Sequence, residues 1–387
     1  MRTRLTELLG IEFPLVAFSH CRDVVAAVTN AGGFGVLGAV AYSPARLDRE
    51  LSWIDEQVRG RPYGVDVLLP GRVDAAAADP AARLGEAIPD AHRDFVAHLM
   101  RKYDVGRPDI WPPDGGAWAP PTTAAGRAAD EAGRRVTAAG AMGLVDVALK
   151  HPVRLIASAL GPPPPEMVDR ARSAGVPVAA LVGTVEHARR QVAAGADVVV
   201  AQGTEAGGHT GEISTMVLVP QVVDAVAPVP VLAAGGVASG RQMAAAIALG
   251  AEGVWCGSVW LTTEEAETPP VVRDKLLAAT SLDTVRSRCR TGKPARQLKS
   301  AWTEEWDEAT ESPGPLPMPL QMLLAEPALA RVVRAAEAGG EGARDLANYF
   351  VGQVVGQMNQ VRPAREVVYA IVSEYVEAVA RLSRLSG

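Results

Sequence analysis

Short uninterrupted apolar runs alternate along this chain with stretches in which apolar residues recur every three to four positions. Pro14–Phe18, Phe34–Val40, Tyr63–Leu69, Val153–Ala159, Pro177–Val182, Ala196–Ala201, Val229–Ala234 and Gly253–Gly257 read as strands. Their apolar character is continuous rather than alternating, which marks strands buried on both faces of a parallel sheet. The intervening segments Asp23–Ala31, Val185–Ala194 and Gly240–Leu249 read as helices, as do the segments after Ser43-Pro44 and after the prolines at 162–165. Ser43 and Thr184 supply capping oxygens, and Pro44 suits the first helical position. Eight β-then-α units predict an α/β fold of the (β/α)8 TIM-barrel type. The alternative, an open Rossmann-like sheet, would place a G-x-G-x-x-G after the first strand. None is there, and the glycine-rich loops come late in the chain.

Two segments fall outside this rhythm. Residues 71–150 form an insertion after the third strand, with Ala/Arg/Asp-rich helical stretches around a Pro/Trp loop, Arg107–Pro121. The barrel is therefore expected over residues 1–262, insertion included, and residues 263–387 as a helical C-terminal extension packed on it. The extension holds a Pro-rich turn, Ser312–Pro319, and amphipathic helices near 325–338, 343–358 and 364–384. Those helices suit packing on the barrel or on a second copy of the chain, so a homodimer stays open.

Composition removes some function classes. The net charge is -6 and no basic run is present, which argues against a nucleic-acid partner. Cys21, Cys256 and Cys289 are too scattered for a disulfide framework or a zinc site. No apolar segment is long enough to span a membrane, and Met1–Glu7 does not open a signal peptide. A cytoplasmic location is the expectation.

In a barrel, the loops that follow the strands build the site. The run ending at Ala201 leads into Gln202-Gly-Thr-Glu-Ala-Gly-Gly-His-Thr-Gly211, poor in side chains and carrying a histidine, His209. Such a loop admits a close ligand, and a histidine there can act as acid or base near neutral pH. Gly235 and Gly236 follow the next strand and lead into a helix. Gly257 and Ser258 follow the last strand. Adjacent glycine turns beside a helix N-terminus offer backbone N–H groups to a phosphate. The competing readings are tight turns without a ligand and a structural loop histidine. His20, after the first strand, could line the mouth. Glu205 and His209 stand four apart, but in a glycine loop rather than on a helix, so no metal site is expected. From the residues alone, the reading ends at a phosphate-bearing ligand and one candidate acid/base.

The form Q-G-x-E-A-G-G-H-x-G of Gln202–Gly211 resembles the signature of the nitronate monooxygenase (2-nitropropane dioxygenase-like) flavoproteins. Leu8–Pro14, Asn30–Gly35, Val231–Val237 and Gly253–Ser258 match in order, and Gly352-Gln353 resembles a late G-Q element of that family. The resemblance implies a TIM barrel binding FMN, with its phosphate on Gly235, Gly236, Gly257 and Ser258. It places Gln202, Gly207 and Gly208 near the flavin ring, and implies for His209 the role of base or substrate-orienting group. Nitronates would be oxidised with O2. Two departures stand out: Ala17–His20 replaces a Gln-x-Pro-Met element, and Asp66 stands where an Asn is common. An ionised Asp near the flavin accepts hydrogen bonds but does not donate them. The signature is shared with NAD(P)H-dependent quinone reductases and resembles FMN-containing enoyl-thioester reductases and CoA-thioester dehydrogenases. A flavin-binding sensor and a metal-dependent aldolase on the same barrel are the more distant alternatives.

Overall fold

The computed structural model describes residues 1–40, 42–68, 87–106, 138–159 and 161–386. The Arg107–Pro121 loop and much of the 71–150 insertion thus lie outside the described residues. Parallel strands β1 (Leu15–Ser19), β2 (Phe34–Gly38), β3 (Gly64–Leu68), β4 (Leu155–Ala159), β5 (Val178–Val182), β6 (Val198–Gln202), β8 (Val231–Ala234) and β9 (Gly253–Cys256) close into a barrel. β9 returns to β1 with Leu15 opposite Val254. The (β/α)8 expectation holds, and each of these strands lies within two residues of its sequence-based bounds.

Alternate residues of each strand face inward. Val16, Val36, Leu155, Val198, Leu232 and Trp255 share one buried interior cluster. Their neighbours, such as Ala17, Val199, Ala233 and Val254, pack on the outer helices. Helix α1 (Arg4–Leu9), closed by a Thr3/Thr6 capping box, adds fully buried Leu5 and Leu9 to the interior. Leu5 lies against Gly253, the first residue of β9, so α1 stoppers the N-terminal end of the barrel. The opposite end is left for loops.

The outer layer comprises α2 (Arg22–Asn30), α3 (Pro44–Val58), α5 (Ala138–Ala148), α6 (Pro165–Ser173), α7 (Val185–Ala193), α8 (Thr215–Val226) and α9 (Gly240–Ala248). From the insertion, α4 (Asp90–Lys102) does not join this layer. Its Phe95, Leu99 and Met100 share a core with Trp302, Trp306 and Leu329 of the extension.

That extension contains α10 (Pro270–Ala278), β10 (Thr284–Ser287), β11 (Ala295–Leu298), α11 (Ala301–Asp307), α12 (Leu320–Glu337), α13 (Glu341–Leu346) and α14 (Ala364–Ser386). The helix expected over 343–358 is not formed. α13 ends at Leu346, where Lys275 Nζ donates to the Arg344 and Ala347 carbonyl oxygens at 2.9 and 2.6 Å. Gly352 is then extended, and a Cβ on it would stand 2.5 Å from the Glu205 carbonyl oxygen. Contact with the Gln202–Gly211 loop overrides local helix preference here. β10 and β11 form an antiparallel hairpin that takes a two-residue strand of that loop, β7 (Gly208–His209), as its third member. α14 lies across α9, with Val367, Val368 and Ile371 buried, each contributing about 1.5–3 kcal/mol. A Cβ on Gly240 would sit 2.1 Å from the Ile371 carbonyl oxygen, so glycine permits that crossing. No helix among the described residues is long and apolar enough to cross a membrane.

Candidate active site

The loop after β6 is shaped by Glu205. Its carboxylate accepts the Thr215 backbone N–H at 2.9 and 3.1 Å, capping α8 and folding the chain back on itself. Thr215 Oγ1 lies 2.9 Å from both Glu205 Oε2 and the Gly235 carbonyl oxygen, joining this loop to the turn after β8. Gly235 and Gly236 adopt φ of 90° and 71°, which a side chain disfavours. The backbone N–H groups of Gly235, Gly236, Gly257 and Ser258 find no acceptor among the described residues. The N-terminus of α9 does not add to them as expected. Its Gly240 N–H donates to Glu374 Oε2 at 3.0 Å, and Ser239 and Gln242 satisfy their neighbours. The free donors come from the two turns themselves. Ser258 Oγ accepts the Gly352 N–H at 2.8 Å and keeps its own proton to donate. A Cβ on Gly207 would stand 2.8 Å from the Gly352 nitrogen, so the strap at Gly352 draws Gly207 and Ser258 together.

His209 is not in a free loop. It pairs with Ala295 in the β7–β11 ladder. Its Nε2 lies 2.9 Å from Thr291 Oγ1, whose hydroxyl is 3.2 Å from the Lys293 carbonyl oxygen. The Thr291 proton directed to that carbonyl leaves Thr291 Oγ1 to accept from Nε2–H. Nδ1 then carries the basic lone pair. The Phe350 ring stands 6.2 Å away, itself covered by the Arg290 guanidinium at 4.5 Å, which Glu326 holds at 2.6 and 3.0 Å. Burial, with the nearby charge of Lys293, lowers the His209 pKa to about 4 rather than leaving it near neutrality. Local sequence carries no sign of Thr291 or Arg290; only the nearby Gly352-Gln353 element points to the segment that holds Phe350.

Across the barrel, the end of β1 supplies His20. Its Nδ1 lies 3.0 Å from the Gly38 carbonyl oxygen, which fixes the proton on that atom and leaves Nε2 free. Phe18 meets the ring edge-on at 5.1 Å and stacks on Trp255 at 6.3 Å. Asp66 lies on β3, separated from β6 by β4 and β5, with only 7% of its surface exposed. Burial pushes its carboxyl up to about 8, so at pH 7 it is a neutral acid that can donate a hydrogen bond, which an ionised Asp could not. Gln202 ends β6 and is half-buried. Cys21, Asp23 and Glu267 bring ligand atoms within 4.8 Å of one another near the start of α2. Cys21 Sγ donates to the Glu265 carbonyl at 3.0 Å, and burial raises its thiol pKa. This group therefore reads as a hydrogen-bonded thiol among acids.

A family model described as nitronate monooxygenase matches residues 2–374. The chain belongs to the nitronate monooxygenase family. A relative from Mycobacterium tuberculosis (strain ATCC 25618 / H37Rv), "Putative monooxygenase Rv1533", is 59% identical over 387 residues, covering 100% of this chain and 99% of the relative. A "Probable nitronate monooxygenase" of Staphylococcus aureus (strain JH9) is 28% identical over 79% of this chain and 81% of its own. Among solved structures, a nitroalkane oxidase from Streptomyces ansochromogenes superposes with a TM-score of 0.76 at 28% identity, covering 98% of this chain and 99% of that one. FabK from Thermotoga maritima gives 0.71 at 28% identity over 100% and 99%. The chain is thus an oxidoreductase-family TIM barrel.

Proposed function

We propose that this protein is an FMN-dependent nitronate monooxygenase-like enzyme that oxidises alkyl nitronates with O2. The supporting observation is the set of N–H groups on Gly235, Gly236, Gly257 and Ser258 that lack acceptors among the described residues. Two adjacent turns with free donors suit a phosphate dianion, and loops after the last strands of a barrel are where phosphates bind. Ser258 Oγ–H adds a donor. Gln202 offers both amide N–H and C=O to a ring edge, Gly208 keeps that approach clear, and Gly207 beside it seats the Gly352 strap. FMN held there would supply the two-electron redox chemistry, with O2 as final acceptor. His209, neutral above about pH 4, removes the proton from a nitroalkane or orients the nitronate, while Thr291 fixes its tautomer.

The solved relative named as a nitroalkane oxidase supports this reading. The FabK likeness supports a second one, an NAD(P)H-dependent reductase of quinones or enoyl thioesters, or a CoA-thioester dehydrogenase, on the same scaffold. An anaerobic absorbance titration separates them. Propionate 3-nitronate is expected to bleach the flavin and air to restore it, with NADH and NADPH inert. Bleaching by a nicotinamide alone moves the enzyme to the reductase reading.

The phosphate assignment has its own test. A Cβ on Gly236 would meet Glu205 Cβ at 3.5 Å, an ordinary contact, and although φ of 71° strains any side chain, Asp tolerates the left-handed backbone better than most. Its carboxylate would add a negative charge at the turn proposed to hold the phosphate, beside Glu205. Gly236→Asp is expected to purify folded but colourless, with FMN affinity lowered roughly 100-fold. A fully yellow variant would contradict the assignment.

A further inference from the structure

We propose that Asp66 is a proton-bearing hydrogen-bond donor on the wall of the barrel mouth, offering its O–H to an acceptor oxygen or nitrogen of the ring bound there. The proposal rests on the FMN reading above. Val65 and Val67 pack with the outer helices, so Asp66 between them points toward the barrel axis. Its register partners there are Gly38 on β2 and Ala157 on β4, neither of which has a polar side chain. The other inward residues of those strands, Phe34, Val36 and Leu155, are apolar and buried. No described residue donates a hydrogen bond to its carboxyl group. His20 is the titratable group that reaches over Gly38, where an added Cβ would be 2.5 Å from Nδ1. That Nδ1–H is committed to the Gly38 carbonyl oxygen at 3.0 Å and is not a partner for Asp66.

A carboxylate that is 7% exposed, with no countercharge among the described residues, has lost most of its hydration, a cost that retention of the proton avoids. The neutral acid then has one O–H to donate. Among the described residues that donor has no acceptor, so it is available to a ligand. Burial keeps the proton on the carboxyl up to about pH 8. Above that, the donor is lost and a negative charge faces the ring. Ligand affinity should therefore fall as pH rises, a dependence that an amide at the same position cannot produce.

The test is a fluorescence titration of apoprotein with FMN between pH 6 and 9.5, for the wild type and Asp66→Asn. Wild-type Kd is expected to weaken about tenfold between pH 7 and pH 9. Asp66→Asn, which keeps an N–H donor and cannot ionise, should show only the shallow dependence of FMN's own ionisations. Parallel profiles for the two proteins would overturn the proposal. So would a wild-type profile that stays flat above pH 8, whether or not the variant folds. A protonated-carboxyl C=O stretch in the wild-type infrared difference spectrum, lost as pH rises through 8, is the second expected result, and its absence at pH 6 overturns the proposal independently of any ligand. Failure of FMN to bind at any pH would overturn the FMN reading and this proposal with it, an outcome distinct from binding without pH dependence.

Discussion

His209→Ala is expected to retain FMN while lowering kcat/KM on a neutral nitroalkane by roughly 10²–10⁴-fold, the range a positioned general base supplies. The same variant should lose far less on the preformed nitronate, from which no carbon-bound proton has to be removed. The expectation follows from His209's setting. Thr291 Oγ1 holds Nε2 at 2.9 Å, the β7–β11 ladder holds the backbone, and Phe350 flanks the ring. Burial lowers the imidazole pKa to about 4, so the basic form dominates across the neutral range. Proton removal should therefore be flat from about pH 7 down to about 5, below the range in which Asp66 ionises, and fall as pH drops through about 4, when His209 protonates. An acid limb centred near 6.5 would mean that binding or water entry had undone the burial. Equal kcat/KM for wild type and variant on both substrates would remove the catalytic role.

The barrel was legible because its signals are local. Val198–Ala201 and Val231–Ala234 are apolar without a break, and Ser43, Thr184 and Ser239 stand where helix caps belong, each accepting a backbone N–H three residues on. The glycine turns were legible for the same reason, since Gly235 and Gly236 occupy a backbone region that other residues avoid. What surrounds His209 was not. β10 and β11 read Thr-Val-Arg-Ser and Ala-Arg-Gln-Leu, four residues each, too short and too polar to show a period. β7 is two residues long and exists because β11 supplies its partner. Thr291 reaches His209 from 82 positions away, and nothing near either residue encodes that meeting. Asp66 was recognised by position, but its charge state depends on burial by Gly38, Ala157 and the strands around them, which no local pattern reports. The expected helix at 343–358 erred in the same way, because Gly352 answers to Glu205 rather than to its own neighbours.

Asp66→Asn is expected to stabilise the ligand-free protein, increasingly so as pH rises. The sign comes from proton uptake on folding. The Asp66 carboxyl goes from an ordinary 3.8 to about 8 in the folded barrel, so between those values the native state binds the extra proton. Stability is then greatest below pH 4, declines as pH rises, and levels off once Asp66 ionises in the folded state too. The loss amounts to about 4 kcal/mol at pH 7. Asparagine removes that dependence but leaves a buried amide short of partners at about 1–3 kcal/mol, so the net gain at pH 7 is about 1–3 kcal/mol and grows toward pH 8. Melting temperatures of both proteins from pH 5 to pH 9 should diverge in the variant's favour, and parallel curves would mean that the carboxyl is solvated. Such a cost, at a residue whose register partners are Gly38 and Ala157, is the pattern expected where a position is kept for its ligand rather than for the fold. Where FMN accepts a hydrogen bond from the Asp66 O–H and so offsets part of that cost, the melting difference should narrow when the cofactor is added.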